Sequence, residues 1–468
     1  SVQSSGQTDW TWRGTLPPLP EFPESACYLD HLTRVVRPEV PNFSLQGNLE
    51  LDGIELKDDA NLVRNAVARI EVDYQSNDFL KVQLNSRAGG IQSPDLNLTN
   101  VIFEAGASLT PEALGTQHSY TLGSLLQAND EILKGHVGSG TMEYRFATSQ
   151  IDGEVSLTNR FPAANILARF AGESFGNWFC NGGVLDGALL GLPNLTSSVD
   201  VRIGEAGQVL ELGERQLHGE VTMKSQVTIQ EKQVDLVGDI AFGNNEIRDP
   251  EFHARGVNGV LPINQQLLFR TQSSSCLELS SLPSCFCLIV DGREAVKAGI
   301  HRDPTIRIAG LTSQDLTISR MSAEASYSAG WFGLRDYSAE LLDGDLRGDI
   351  YFGVTSKRGF DSRFSLKVSD LQLSRLLPKR FRKGKRTRAN LVFDAGLMLS
   401  PGVSDLSLDL AVTRLEPDAL DALLNAMEQK TGLAQVSQAR DNLGWIDFSS
   451  MTVWIRHEGL NVELDYDP

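Results

Sequence analysis

The sequence predicts a mainly-β protein built on a long antiparallel sheet, and three observations predict it. A two-residue rhythm recurs along most of the 468 residues. Between Gly219 and Glu231, Val221, Met223, Val227 and Ile229 share one parity, while Lys224, Gln226, Thr228 and Gln230 share the other. Successive strand side chains point to opposite faces, so such a strand is dry on one side and wet on the other. Second, glycine-containing strand phrases return at irregular spacing: Leu45-Gln46-Gly47-Asn48-Leu49, Ile151-Asp152-Gly153-Glu154-Val155, Leu217-His218-Gly219-Glu220-Val221 and Leu346-Arg347-Gly348-Asp349-Ile350. Glycine inside a strand marks a bulge, a bend or a close approach, as a coiling sheet requires. Third, turn pairs such as Asp152-Gly153, Asn258-Gly259 and Asp343-Gly344 punctuate the chain, at intervals of roughly 8 to 15 residues that suit a meander.

Taken in order, residues 1–44 read as an irregular lead-in carrying Pro17, Pro18, Pro20 and Pro23, with Trp10 and Trp12 as its large aromatics. Residues 45–270 read as a first sheet segment, and residues 271–468 as a second of the same kind. Between them the serines at 273–275 and 280–281 surround a cysteine cluster. Helix is scarce. One helix is expected near residues 416–431, with Pro417 at its first position, Leu420, Leu423, Leu424 and Met427 on one stripe, and Gly432 as its stop. A second short helix is expected over Val436 to Asn442.

The charge balance, Lys+Arg 42 against Asp+Glu 60 for a net of -18, repels phosphate backbones and argues against nucleic acid as a partner. No run of about 18 apolar residues offers a membrane span. The chain begins at Ser1 in a polar stretch, which reads as a cut end with an anchor or signal upstream. Five cysteines (Cys27, Cys180, Cys276, Cys285 and Cys287) are too few to staple the chain.

The chemistry-bearing motifs are weak. Gly172-Glu173-Ser174-Phe175-Gly176 fits the nucleophile-elbow pattern, but the residues after it do not suit a helix, and Ser174 reads as a loop serine. Cys285-Phe286-Cys287, with Cys276 nearby, suits a bridge from Cys276 to Cys285 or Cys287, or idle thiols, better than the two-residue gap of a zinc knuckle. The seven histidines form no H-x-x-x-H pair. The expectation is therefore no enzyme, no metal and no cofactor. One run stands out: Lys379, Arg380, Arg382, Lys383, Lys385, Arg386 and Arg388 set seven positive charges in ten residues, around Phe381. It reads either as a solvated loop between strands or as a contact for anionic head groups or an acidic partner.

The stretch Leu341-Leu342-Asp343-Gly344-Asp345-Leu346-Arg347-Gly348-Asp349-Ile350 resembles a hairpin phrase repeated in the AsmA-like proteins of the bacterial envelope. Leu371 to Pro378, Leu406 to Leu410, the helix at Ala419 to Met427 and the closing strand Gly459 to Leu464 are together similar to the C-terminal portion of that group. The resemblance is strongest over about residues 300–468. It implies a sheet curled into a U-shaped groove, anchored in the inner membrane of a Gram-negative cell and reaching into the periplasm. Along it phospholipid or another acyl lipid would move between membranes in outer-membrane biogenesis, with an envelope protein partner extending the groove. The groove residues expected on this reading are Val221, Met223, Val227, Ile229, Leu366, Val368, Leu408, Leu410, Val462 and Leu464. For each, ordinary packing between two sheets is the competing expectation, and for the whole chain a closed β-sandwich or solenoid used as a scaffold or adhesion module.

Overall fold

The computed structural model describes residues 2–13, 43–173, 184–185, 188–189, 192–269, 276–278, 286–298, 305–376, 386–422 and 448–466, apart from interruptions of at most four residues within those ranges. Nearly all of them lie in antiparallel strands of open sheet, with little helix and no closure into a barrel, as the alternating sequence requires. The chain divides into two compact units, residues 1–210 with 222–236, and residues 211–221 with 237–468.

The first unit contains β1 (Val2–Arg13), β2 (Ser44–Lys57), β3 (Leu62–Gln75), β4 (Phe79–Gln92), β5 (Leu96–Leu109), β6 (Ala113–Gln127), β7 (Asp130–Arg145), β8 (Gln150–Asn159), β9 (Ala164–Glu173), the two-residue pair β10 (Val184–Leu185) and β11 (Ala188–Leu189), and β12 (Leu192–Ile203). Each of β1 to β9 pairs with its sequence neighbour, and β12 then pairs with β9. The lead-in thus differs from its expectation. Val2–Arg13 is a strand registered on β2, with Trp10 opposite Gly47 and Trp12 opposite Leu45, while residues 14–42 lie outside the described residues. A Cβ on Gly47 would enter the Trp10 ring. The prolines that suggested irregularity all fall after the strand.

β13 (Val209–Leu212) precedes β14 (Arg215–Glu231) and β15 (Gln233–Arg248), both of which contribute to both units. The second unit continues with β16 (His253–Phe269), β17 (Cys276–Glu278), β18 (Phe286–Ile289), the short helix α1 (Arg293–Ala298), β19 (Ile306–Ser313), β20 (Leu316–Ser328), β21 (Trp331–Leu341), β22 (Gly344–Val354), β23 (Phe360–Gln372), a 3-10 turn (Leu373–Leu376), β24 (Arg388–Ser400), β25 (Val403–Leu415), β26 (Phe448–Arg456) and β27 (Gly459–Tyr466). β16 pairs with β19, and from β19 to β27 every strand pairs with the next.

α1 has no counterpart in the sequence reading, being too short to show a helical stripe. It lies over β21, where Val296 is buried against Gly333 and Arg293 stands over the Trp331 ring at 5.7 Å. The expected helix near 416–431 begins where proposed. Ala419, Asp421 and Ala422 are helical, Ala419 N–H donates to Glu416 O at 2.8 Å, and Ala422 N–H donates to Asp418 O at 3.0 Å. Pro417, Leu420, the rest of that stripe and the helix expected over 436–442 lie outside the described residues.

Of the strand glycines, Gly348 stands opposite a bulge whereas Gly47 and Gly153 pair without a register shift, and bends with positive φ fall on Asn and Asp instead. Asn65 and Asn100 in the first unit, and Asn244, Asp336 and Asp370 in the second, adopt positive φ between 49° and 58°. Short polar side chains tolerate this conformation better than others do. At Asp336 and Asp370 the register shifts, between Leu334 and Tyr337 and between Val368 and Leu371. Opposite the first shift, Gly348 has φ 155°, and a Cβ there would overlap the Ser365 carbonyl oxygen, so only glycine fits.

Candidate functional site

Opposed residues of an antiparallel ladder share a face, so register sorts side chains into rows across a sheet. In the second unit five such rows cross the strands from β21 to β25. The first is Ala339, Leu346, Val368, Leu391 and Val412; the second, Tyr337, Gly348, Leu366, Phe393 and Leu410; the third, Leu334, Ile350, Phe364, Ala395 and Leu408. The fourth is Phe332, Phe352, Ser362, Leu397 and Leu406, and the fifth begins Val354, Phe360, Leu399. Register extends the first three onto β26 and β27, through Met451 and Leu464, Val453 and Val462, and Ile455 and Leu460. Among the residues named, Gly348, Ser362 and Tyr337 interrupt an otherwise aliphatic and phenyl surface, and register places Ser404 opposite Leu399 at the end of the fifth row; Ser362 is buried with its hydroxyl on Leu397 O at 3.4 Å. Burial raises the Tyr337 phenol pKa above its ordinary value.

The face is unevenly covered. At the first row Ala419 and Ala422, both 0% exposed, join Ala323, Tyr337, Ala339, Leu346, Val368, Leu371, Leu373 and Ala389 in one core. At the other end Phe352, Phe360, Leu399 and Leu406 are 36 to 48% exposed, although they stand on the same face. The rings of Phe332, Phe352 and Phe360 form a chain with centroids 5.0 and 6.3 Å apart. Burial therefore falls along the strands, from a sealed end to an open one.

The sealed end is stitched by backbone. Arg386 N–H donates to Asp418 Oδ2 at 2.8 Å, Asp418 N–H returns to Arg386 O at 3.0 Å, and Arg388 N–H donates to Glu416 Oε2 at 2.7 Å. Buried Thr387 accepts from Ser374 N–H through its hydroxyl at 3.0 Å. Of the basic run only Arg386 and Arg388 are described; Lys379, Arg380, Arg382, Lys383 and Lys385 lie outside the described residues. The Arg388 guanidinium stands 3.8 Å from Asp370, which also meets Arg414 at 3.5 Å, so Arg388 already has an acidic partner.

The opposite face of this unit is polar and carries α1. Asp361, almost fully buried, lies 3.7 Å from Arg293 and 3.6 Å from Arg363.

In the first unit the apolar face is thinner and interrupted. Its best row, Leu45, Tyr74, Leu80, Leu109, Leu114, Tyr144 and Ile151, supplies four of this unit's seven buried hydrophobic residues among those described. Toward the other strand ends the same face holds Ser86, Thr116, His118, Tyr120 and His136. Tyr120 hydroxyl and His136 Nε2 are 3.1 Å apart. Tyr120 and Phe170 lie across the positions where Gly138 and Gly153 would carry a Cβ, so each glycine is roofed by a ring from the next strand. Shallow hollows of about 430 to 480 Å³ lie on this unit's polar face, along Gln83, Gln117, Thr141 and Glu154 and their neighbours.

Of the ten expected groove residues, the structure brings Leu366, Val368, Leu408 and Leu410 into adjacent rows of one face, and register alone adds Val462 and Leu464. Val221, Met223, Val227 and Ile229 lie on one parity of β14, each half-buried, with Ser225 buried among them and its hydroxyl on Val199 O at 3.4 Å. Val368 is core rather than open surface, because the Ala419 and Ala422 turn covers it. Sequence reasoning missed Phe352, Phe360, Leu399 and Leu406, the most exposed members of the face. Their alternation was visible, but exposure depends on what covers a strand.

Ser174, Cys27, Cys180 and Cys285 lie outside the described residues. Cys276 and Cys287 stand on paired strands, opposite Ile289 and Glu278, two positions apart in register. Among the described residues no group of three His, Cys, Asp or Glu side chains is placed to hold a metal ion. Among them, too, no helix is long and apolar enough to cross a membrane. No protein-family model matches the sequence, and no curated protein matches it.

Proposed function

We propose that the chain is a non-enzymatic lipid carrier whose apolar ladder face shelters acyl chains during transfer between membranes. The observation that carries this reading is the second unit's face, in which Phe352, Phe360, Leu399 and Leu406 stay exposed in rows continuous with a buried core. Leaving such surface to water is unfavourable, and each CH₂ of a lipid tail removed from water against it gains about 0.8 kcal/mol. The resemblance to AsmA-like proteins supplies the setting: a periplasmic groove of phospholipid-transfer type, anchored upstream in the inner membrane and extended by an envelope protein partner. On this reading the basic run Lys379 to Arg388 meets the anionic head groups of a membrane surface rather than that of the carried lipid, each uncompensated charge near such a surface contributing about 1 kcal/mol. The test is native mass spectrometry and solvent extraction of the purified chain. Acyl lipid is expected at about stoichiometric yield, and lipid-free protein in repeated preparations from lipid-rich lysates overturns the reading.

A scaffold or adhesion role draws on the sealed first row, which packs as an ordinary core. It requires another protein over the open rows, and a chain that binds no lipid yet loses exposure at Phe360 in the presence of envelope extract supports it instead.

A further inference from the structure

The apolar face of the second unit has a closed end and an open end, and the closure is made by one element. Ala419 and Ala422 belong to the same buried core as Leu346 and Val368 and leave no exposed surface of their own. The turn that carries them is fixed to the sheet by Arg386 N–H donating to the Asp418 carboxylate at 2.8 Å and Asp418 N–H donating back to Arg386 O at 3.0 Å. Beyond it, rows two to five are separated by three two-residue steps, about 20 Å at about 3.3 Å per residue. Exposure rises along that distance to 37% at Phe360 and 43% at Leu399. One leaflet of a bilayer's hydrocarbon core is about 15 Å deep. The open part of the face therefore matches the length of a single acyl tail laid along the strands.

We propose that the helical turn carrying Ala419 and Ala422 is the end-stop of an acyl slot: tails lie parallel to β22–β25 with their methyl ends against the Leu366 and Leu410 row and their head groups beyond Phe360 and Leu406. This rests on the lipid-carrier reading and adds to it a tail polarity and a limit on tail length. A tail longer than the slot meets the two alanines, whose turn cannot shift without breaking its bonds to Arg386. The head group leaves the face at its exposed end, where it keeps its water.

The test uses the full chain and two phosphatidylethanolamine probes, one with a photoreactive diazirine at the terminal carbon of a tail and one with it next to the ester. The expected result is crosslinking of the terminal probe at Leu366 and Leu410, and of the ester-side probe at Phe360, Leu399 and Leu406, with at least a fivefold preference each way. A reversed or uniform pattern overturns the end-stop while leaving the lipid reading intact, as does crosslinking confined to other residues. Binding of neither probe, by crosslinking or native mass spectrometry, overturns the lipid reading itself. A second measurement needs no probe. Ala395→Phe fills the third row, and the co-purified lipids of that variant are expected to shift to tails shorter by several carbons. Ser365→Phe, on the other face at the same level, is expected to leave them unchanged. Equal tail lengths in both variants and the unaltered protein overturn the proposal.

Discussion

The two units build the same object from different materials. In the first, the apolar face is half-buried across most of its width and interrupted by Ser86, Thr116, His118, Tyr120 and His136, and rings roof its glycines. In the second, the face is almost uninterrupted, sealed at one end by Ala419 and Ala422 and open at the other. The positive-φ bends differ in the same way. In the second unit an Asx side chain from the following strand accepts the N–H of the positive-φ residue: Asn258 for Asn244 at 2.7 Å, Asp349 for Asp336 at 2.9 Å, and Asn390 for Asp370 at 2.7 Å. In the first unit glycines lie opposite instead, Gly89 beside Asn65 and Gly123 beside Asn100. An open sheet can thus hold its bends by hydrogen bonds or by steric room. It can leave its dry face modestly apolar throughout, or concentrate both burial and exposure.

The largest expected effect separates the sealed and open ends of the second unit. Val368→Asp puts a charge in the core under Ala419 and Ala422, and is expected to destabilise that unit by at least about 3 kcal/mol. Leu406→Asp, on the same face but 48% exposed, is expected to cost under about 1 kcal/mol and to reduce lipid recovery sharply. Urea unfolding followed by hydrogen exchange, with peptides assigned to each unit, checks both. Equal destabilisation by the two variants would remove the distinction between the ends.

That distinction marks how far the sequence could be read. The parity of β22 to β25 was legible because Leu366, Val368, Leu408 and Leu410 alternate with polar residues, and strands of that pattern have one place to put their apolar side. Coverage was not legible. Nothing local to Val368 or Leu406 says that a turn some fifty residues downstream of the first covers it, while the second stays bare. β1 was missed because Val2–Arg13 is mostly polar and precedes a proline cluster; its pairing depends on Gly47 admitting the Trp10 ring. The bulges were half legible. Gly348 announced the one opposite it, whereas Asp336 and Asp370 themselves have ordinary strand surroundings and are recognised only by the Asx partner on the next strand.

The next prediction tests the ring-over-glycine device of the first unit. Gly138→Ala forces the Tyr120 ring aside and disturbs its contact with His136, and is expected to cost about 1 to 3 kcal/mol, as overpacking does. At Gly90 of the same unit the nearest atom to a new Cβ is the Leu98 carbonyl oxygen at 3.5 Å, an ordinary contact. Gly90→Ala is therefore expected to change stability by less than about 0.5 kcal/mol, and thermal melts of the pair give the comparison directly.

A smaller loss is expected at the stapled bulges. Asn390→Ala leaves Asp370 N–H to water and is expected to cost about 1 kcal/mol, read as faster exchange of the Asp370 amide with little change elsewhere. Unchanged exchange would mean that register, rather than the carboxamide, holds the bulge.

The smallest effect is a pH dependence in the second unit, at the turn between β15 and β16. Glu246 Oε1 lies 2.6 Å from His253 Nε2 and 2.9 Å from the Arg248 guanidinium, and these hydrogen bonds, His253 first, lower its pKa below the ordinary 4.5. Asp249 is lowered as well, by the Glu251 backbone N–H and then by Arg215 at 2.7 Å. A carboxyl whose folded pKa lies below its unfolded one binds fewer protons in the folded state, so its contribution is complete above the unfolded value and is lost as pH falls through the folded one. From pH 7 to 5 these groups are expected to change nothing. Below about pH 4.5 the amides of this turn are expected to lose protection before the rows around Val368 do, and Glu246→Gln should abolish most of the difference. Loss of protection already at pH 6 would mean that neither Glu246 nor Asp249 sets the response.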